Sequence, residues 1–156
     1  MSLKAIRSML GRLEGKRVWG ASLGYGSFVT LEFGARVKTL GGHIRGEWHL
    51  WIYCCAWRIE KAGKVMAASE DDRSLLRKTV AILNRKKLTS AEVAQLMSDA
   101  IFTFEGDLTL KTFGIYSRDA EHWMLFTPGG KVLTIGPGSA ASFTPAGGKR
   151  RKGKGR

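Results

Sequence analysis

Apolar residues recur at helical spacing near the start of the chain and again near its middle. Over residues 3–13 this spacing predicts an amphipathic helix that ends near Gly15. A second helix is predicted over residues 70–83, because Ser69 is a suitable N-cap and acidic residues fill the first turn. Asn84 is a suitable stop for this helix. Its buried stripe is predicted to consist of Leu75, Leu76, Val80, Ile82 and Leu83.

Alternating apolar and polar residues predict short strands between these two helices. Residues 18–23 and 27–33 are expected to form a hairpin, because the glycine-rich segment between them accepts a positive φ. Residues 34–46 hold four glycines and several polar groups, which predicts a loop or a frayed strand end. Residues 64–68 are predicted to form a further strand.

The segment from residue 48 to residue 59 is the most apolar part of the chain. In a continuous strand, one face would carry Trp48, Leu50, Ile52, Cys54 and Ala56. The other face would carry His49, Trp51, Tyr53, Cys55, Trp57 and Ile59. Because both faces are apolar, we expect a central strand that is covered on both sides, or whose second face meets another subunit. Such a strand would span about 40 Å if straight, so a bulge or bend is expected.

The second half of the chain repeats the pattern of the first half. The copies occupy about residues 16–68 and 86–136. Each contains an alternating run, then a tryptophan, then a Gly-Lys-Val turn. These are residues 28–34, Trp57 and residues 63–65 in the first copy, and residues 100–106, Trp123 and residues 130–132 in the second. A repeated unit of this kind constrains the architecture more than a single motif does.

The repeat also decides an ambiguous segment at residues 88–97. Taken alone, residues 90–97 resemble a helix, but the repeat aligns this segment with the strand predicted at residues 18–23. We therefore predict a strand. Further strands are predicted at residues 100–105, 107–113, 121–126 and 131–135.

These elements predict an α+β fold class. Two related antiparallel β units, which form an internal duplication, are joined by one helix and preceded by an N-terminal helix. We expect them to pack as one sheet system or as a half-open barrel, in a single domain over residues 1–144. The chain contains no large apolar residue after Phe143, so residues 145–156 are predicted to be a disordered basic tail.

The net charge of +13 is the strongest compositional signal, and it is unevenly distributed. Without the six cations of the last eight residues the charge is still +7. Such a surface attracts polyanions. The predicted nucleic-acid contacts are Lys149, Arg150, Arg151, Lys152, Lys154 and Arg156. A purely solubilising tail is the alternative.

Cysteine and histidine show no spacing that is typical of a metal site or a catalytic site. Cys54 and Cys55 are adjacent, and we expect two buried, reduced thiols. His43, His49 and His122 are scattered. We therefore expect no metal, no cofactor and no catalytic residue. No apolar run reaches the roughly 20 residues that span a bilayer, and no secretory signal is recognisable, so a cytoplasmic location without membrane contact is expected.

The aromatic residues of the apolar segment suggest an interface. We expect Trp48, Trp51, Tyr53 and Trp57 to be divided between the core and the contact surface of a homodimer. Stacking on nucleic-acid bases is the alternative. Core and dimer contact are favoured, because the intervening positions are apolar and not Lys or Arg.

The second copy resembles a family of small, uncharacterised bacterial domains of unknown function. The family pattern L-x-L-x-x-F corresponds to residues 108–113. The segment W-x-L-x-x-P-x-G begins at Trp123, and the closing P-G turn is Pro137-Gly138. The resemblance includes residues 51–59 and 68–72 and covers about residues 15–140. Because these motifs are turn glycines and core tryptophans, it implies a fold and no activity, and the basic tail lies outside the pattern.

The sequence therefore predicts a non-catalytic binding or interaction protein that forms a homodimer. The first alternative is a protein that associates with nucleic acid independently of sequence, through the basic tail and the basic body. The second alternative is an immunity-like protein that neutralises a protein partner, which rests on analogy with other small bacterial domains.

Overall fold

A computed structural model of the chain describes residues 1–147. Its two helices are α1 (Leu3–Gly11) and α2 (Arg73–Ala81). Ser2 caps α1, because its Oγ accepts a hydrogen bond from the Ala5 amide at 3.1 Å. No helix in residues 1–147 is long and apolar enough to cross a membrane.

Eleven strands complete the described part of the chain. They are β1 (Val18–Leu23), β2 (Val29–Lys38), β3 (Ile44–Ile52), β4 (Cys55–Lys61), β5 (Lys64–Ala68), β6 (Leu88–Val93), β7 (Ala100–Phe104), β8 (Leu108–Gly114), β9 (Trp123–Thr127), β10 (Lys131–Ile135) and β11 (Ala141–Pro145).

The strands form two antiparallel sheets that stay open at their edges. The six-stranded sheet has the order β1-β2-β3-β9-β10-β11, and the five-stranded sheet has the order β5-β4-β8-β7-β6. Side chains from both sheets and both helices meet in one buried apolar core. The α+β prediction is confirmed, with two sheets and no closed barrel.

Each copy of the repeat contributes strands to both sheets. The first copy places β1, β2 and β3 in the six-stranded sheet, and β4 and β5 in the five-stranded sheet. The second copy does the reverse, with β6, β7 and β8 in the five-stranded sheet, and β9 and β10 in the six-stranded sheet. The helices follow the same rule, because α1 packs against β6 and α2 packs against β1. The two copies are therefore related by an approximate two-fold axis, and neither contains a complete sheet.

The apolar segment 48–59 is two strands and not one. It leaves the six-stranded sheet at the end of β3, and it enters the five-stranded sheet at β4 after two residues. This link changes which alternate residues are buried. Trp48, Leu50 and Ile52 are buried before the link, and Cys55, Trp57 and Ile59 are buried after it. The prediction of one continuous strand is wrong, although the expected bend is present.

Helix α2 is shorter than predicted. Its N-cap is Asp72 and not Ser69, whose hydroxyl instead accepts a hydrogen bond from the Trp57 amide at 3.1 Å. The predicted stripe is correct for Leu76, Val80 and Leu83. Leu75, in contrast, is exposed.

Residues 34–46 are mostly not a loop. Strand β2 runs on to Lys38 and β3 begins at Ile44, so the connection is only residues 39–43. We call residues 34–47 the arm. It separates Phe33 from its cross-strand partner Trp48, whereas only residues 105–107 separate the equivalent pair in the second copy. The arm is therefore an insertion into the first copy.

The chain end also differs from the prediction. Residues 88–93 form β6, so the strand assignment taken from the repeat is confirmed there. Strand β11 was not predicted, and it pairs with β10 across the predicted domain boundary at residue 144. The rest of the predicted tail, residues 148–156, lies outside the described residues.

Candidate functional site

The two copies meet at Arg17 and Lys87, where the edge strands β1 and β6 begin. These residues form an antiparallel bridge, and they are equivalent in the repeat. The flanking backbone hydrogen bonds have the same two-fold symmetry. They are Gly15 N to Leu88 O at 2.8 Å, Arg85 N to Val18 O at 2.8 Å, Leu88 N to Lys16 O at 2.8 Å and Val18 N to Lys86 O at 3.0 Å. The approximate two-fold axis therefore passes between Arg17 and Lys87.

The local backbone brings positive charge to this junction. After each helix the chain turns into its edge strand through a residue with positive φ, which is Gly15 (82°) in the first copy and Arg85 (68°) in the second. Basic residues accompany both turns. We call this set the basic seam: Lys16, Arg17, Arg85, Lys86 and Lys87.

One carboxylate balances part of this charge. Glu105 Oε2 accepts a hydrogen bond from the Lys87 amide at 3.1 Å and pairs with Arg17 Nη1 at 3.0 Å. These contacts, the amide first, lower the pKa of Glu105. Within residues 1–147, Arg17 is the one member of the basic seam that forms an ion pair. The seam therefore keeps a clear excess of positive charge.

A cavity of about 570 Å³ opens on the first-copy side of the seam. Its lining consists of Lys16, Arg17, Val18, Trp19, Gly34, Arg36 and Arg85. The Trp19 indole donates a hydrogen bond to Gly34 O at 2.9 Å, and the Arg36 guanidinium lies over the Trp19 ring, 4.3 Å from its centre. Since four cations and no acid line it, the cavity suits an anionic ligand.

The second copy has a different surface at the equivalent place. Thr89 stands where the first copy has Trp19, and Glu105 stands where it has Gly34. The arm, which supplies Arg36, is also missing there. The seam itself is common to both copies, but the cavity depends on residues that the repeat does not share.

A second cavity, of about 650 Å³, lies on the five-stranded sheet. Arg58 and Lys111 lie directly opposite each other there, and both bind Glu60, at 2.6 Å and 3.0 Å. Their hydrogen bonds lower the pKa of Glu60. The acids Glu70, Glu92 and Asp99 also line this cavity. Its charges are therefore balanced within the protein, unlike those of the seam.

His49 and Glu32 form a close polar pair outside the two cavities. His49 Nδ1 lies 2.5 Å from Glu32 Oε1, and the other carboxylate oxygen accepts a hydrogen bond from the Gly46 amide at 2.7 Å. The Phe126 ring covers His49 at 5.3 Å. Neither partner lines either cavity. The pair is a cross-strand contact that links β2 to β3.

Cys55 and His122 are buried, whereas Cys54 is only partly buried and His43 is exposed, so the prediction of two buried thiols is correct for Cys55 alone. Burial raises the pKa of Cys54, and it raises that of Cys55 to about 12, so both are protonated near neutral pH. His122 Nε2 lies 2.9 Å from Tyr116 O, and its Nδ1 is buried without a hydrogen-bond partner in the described structure. No three His, Cys, Asp or Glu side chains in residues 1–147 come together as a metal site.

The four predicted interface residues divide into two pairs. Trp48 and Trp57 are core residues that are only 2% and 3% exposed, so they offer no surface to a partner. Trp51 and Tyr53 keep accessible surface and pack with two further rings. The resulting aromatic cluster consists of Tyr25, Phe28, Trp51 and Tyr53, with ring centres 4.5 to 6.2 Å apart.

The predicted nucleic-acid site in the basic tail stays a prediction. Its six tail residues, 149–156, lie outside the described structure, and the basic seam was not predicted as a site. A signal was nevertheless present. Lys16-Arg17 and Lys86-Lys87 occupy equivalent positions of the repeat, and a repeated pair of basic residues predicts that the two pairs meet if the copies pack symmetrically about an axis that passes between them. Comparison with protein-family models, with curated proteins and with solved structures found no match for this chain.

Proposed function

We propose that the protein is a non-catalytic, cytoplasmic nucleic-acid-binding protein whose phosphate contacts lie in the basic seam. The convergence of the two basic runs around the two-fold axis carries this proposal. Fixed backbone hydrogen bonds hold the runs together, so the charges are assembled before a ligand arrives. Pre-assembled positive charge favours a polyanion, because binding releases the counterions of its phosphates.

The distribution of the cations favours a chain of phosphates over a single small anion. The seam cations come from the starts of two different strands, and Arg36 adds a further cation from the arm. Arg17, Arg36 and Arg85 are exposed, so they are accessible to a long ligand. Contacts of this kind position a nucleic acid without reading its sequence.

The test measures the binding of a labelled duplex of about 20 base pairs by fluorescence anisotropy at several salt concentrations. The double variant Lys16→Gln/Arg85→Gln removes two seam charges. We expect about tenfold weaker binding at low salt, and a slope of log affinity against log salt that is smaller by about 2.

The matched control is Lys61→Gln/Lys64→Gln. These two lysines are exposed at the β4–β5 hairpin, at the edge of the five-stranded sheet that lies opposite β6. This control also removes two charges, so it distinguishes an effect of the seam itself from an effect of the total charge. The proposal fails if the native protein binds no nucleic acid at low salt, or if both double variants weaken binding equally.

A homodimer is a second candidate, supported by the aromatic cluster. Tyr25 is 87% exposed, and it continues a surface that Phe28, Trp51 and Tyr53 form on the six-stranded sheet. Aromatic residues are enriched in the cores of protein interfaces. We propose that a second copy of the chain packs on this cluster.

Sedimentation at high micromolar concentration tests the homodimer. We expect a dimer for the native chain, and about tenfold weaker association for Tyr25→Ser. Leu96→Ser is the control, since Leu96 is an exposed apolar residue outside the cluster. A native chain that remains strictly monomeric excludes the dimer.

A further inference from the structure

We infer that the arm enters a groove of double-stranded nucleic acid and that Leu40 at its tip acts as an apolar wedge between base pairs. This inference rests on the proposed function, and it adds the form of the ligand and the element that recognises it. It begins from the difference between the copies: the arm is inserted in the first copy, and a three-residue connection stands in its place in the second.

The arm carries three apolar side chains that keep exposed surface in the described structure. Leu40 is fully exposed, Ile44 is 62% exposed and Val37 is 38% exposed. Single exposed apolar residues are common. Three of them on one projecting ribbon, on a protein with this much positive charge, suit a ligand that has anionic edges and an apolar interior.

The arm is a regular ribbon with a fixed base. Cross-strand pairs run from Arg36 and Gly46 to Lys38 and Ile44, and the tip is closed by a hydrogen bond from Thr39 N to His43 O at 2.7 Å. Its last five residues before the turn extend about 17 Å from the sheet. Two-stranded ribbons are among the elements that proteins insert into a groove of a duplex.

The strands of the arm approach each other closely at its base. A side chain at Gly46 would place its Cβ 2.5 Å from Phe33 O, so the strands approach closely there. On the neighbouring strand, Gly34 O accepts the Trp19 indole hydrogen bond. Both contacts lie at the base of the arm and leave its tip free, as an element that enters a groove requires.

The charges of the arm continue those of the seam. Arg36 and Lys38 alternate with Val37 and so share one face of the ribbon. Arg36 on this face also lines the seam cavity. A duplex whose phosphates are bound at the seam would therefore also lie next to the ribbon. Arg45 lies on the other face, with its guanidinium 4.7 Å from the centre of the Phe126 ring.

Apolar side chains at the end of a groove-binding element often unstack a base step and kink the duplex. Leu40 has this position, between two strands that carry cations. A single strand has no stacked base pairs to separate and no groove to hold a ribbon. The inference therefore predicts a preference for duplex and a measurable bend.

The test uses the full-length chain with a duplex of about 30 base pairs labelled at both ends, whose bending shortens the end-to-end distance. Energy transfer reports the bend, and anisotropy reports the affinity for the duplex and for one of its strands. We expect the native chain to bend the duplex and to bind it at least about tenfold more tightly than the strand. Leu40→Ser should remove most of the bend and reduce the affinity less than the seam variant does.

Leu96→Ser is the matched control, because Leu96 is an exposed leucine on a loop outside the arm. Since Leu40 is fully exposed, its substitution should leave folding intact, and thermal unfolding checks this. An unbent duplex, equal binding of the strand, or a bend that Leu40→Ser leaves intact would overturn the role of the arm while binding through the seam still stands. Loss of binding in the control double variant as well as the seam variant would instead overturn the proposed function.

Discussion

Trp57 and Trp123 occupy equivalent places in the two copies, and each indole N–H donates a hydrogen bond to the first hairpin loop of its own copy. Trp57 Nε1 lies 2.7 Å from Ser27 O, and Trp123 Nε1 lies 3.1 Å from Met97 O. Both tryptophans belong to the sheet opposite that loop. Each therefore connects the two sheets with one partly buried hydrogen bond at the edge of the apolar core.

Replacing either tryptophan with phenylalanine should destabilise the protein by a similar amount. Trp57→Phe and Trp123→Phe each remove part of a buried ring and leave a carbonyl without its donor, which typically raises the free energy of the folded state by about 2–3 kcal/mol. Urea unfolding measures the change. Trp19→Phe is the control, since its indole bond is exposed. A large loss at one core tryptophan and none at the other would contradict their equivalence.

Glu105→Gln should strengthen nucleic-acid binding. The substitution removes the carboxylate that pairs with Arg17, so the seam gains one net positive charge. We expect tighter binding and a steeper salt dependence. The effect is opposite in sign to that of Lys16→Gln/Arg85→Gln, and the same anisotropy titration measures it. Unchanged or weaker binding would show that phosphates do not reach this end of the seam.

The same variant should lose stability at neutral pH. The pKa of Glu105 is lowered in the folded protein, so its contribution is complete above the ordinary value of 4.5 and disappears as the pH falls through the lower, folded value. The native chain should therefore unfold at a higher temperature than Glu105→Gln at about pH 7. This difference in unfolding temperature should disappear in acid. A difference that is independent of pH would point to a cause other than the carboxylate.

Gly136→Ala should be strongly destabilising, because two separate effects combine there. Gly136 has a φ of 87°, and an added Cβ would lie 2.6 Å from Nδ1 of the buried His122. Gly129→Ala is the matched control, because Gly129 has a φ of 93° and open space around its Cβ position. We expect the free energy of unfolding to fall by about 1 kcal/mol for the control and by at least about 3 kcal/mol for Gly136→Ala. Equal losses would mean that His122 moves aside freely.

The Cys55 thiol should react slowly in the folded protein. With its pKa raised to about 12, Cys55 is almost entirely protonated at about pH 8, and it is also buried. Alkylation of Cys54→Ser, which leaves Cys55 alone, should be at least about a hundredfold slower than alkylation of the same chain in denaturant. Rapid reaction of the folded variant would show that β4 opens readily.

Local patterns predicted most strands correctly, but they did not predict which sheet each strand joins. Residues 48–59 read as one strand because Trp51 and Tyr53 make the second face apolar, whereas their rings in fact form the aromatic cluster. The change of burial parity between Ile52 and Cys55 follows from a tertiary crossing. Alternation alone does not reveal such a crossing.

The arm and β11 were missed for a different reason. Both are held by backbone hydrogen bonds to a neighbouring strand, which do not require apolar side chains. The arm was therefore predicted as a loop because it is rich in glycine. Strand β11 was not predicted because Phe143 is its one large apolar residue. The candidate site was missed because its residues are brought together by the symmetry of the copies, and each basic run alone is typical of an ordinary solvated surface.

The exchange of strands between the copies has a consequence for synthesis. Strand β3 pairs with β9, and β4 pairs with β8, so a nascent chain that has completed the first copy still lacks one of the two neighbours of each strand. Trp48 and Leu50 therefore stay partly uncovered until residues 123–127 have left the ribosome. Folding is then dominated by contacts that are distant in sequence, which makes it slow. The newly made chain therefore passes through a long interval in which its largest apolar side chains need shielding from other chains.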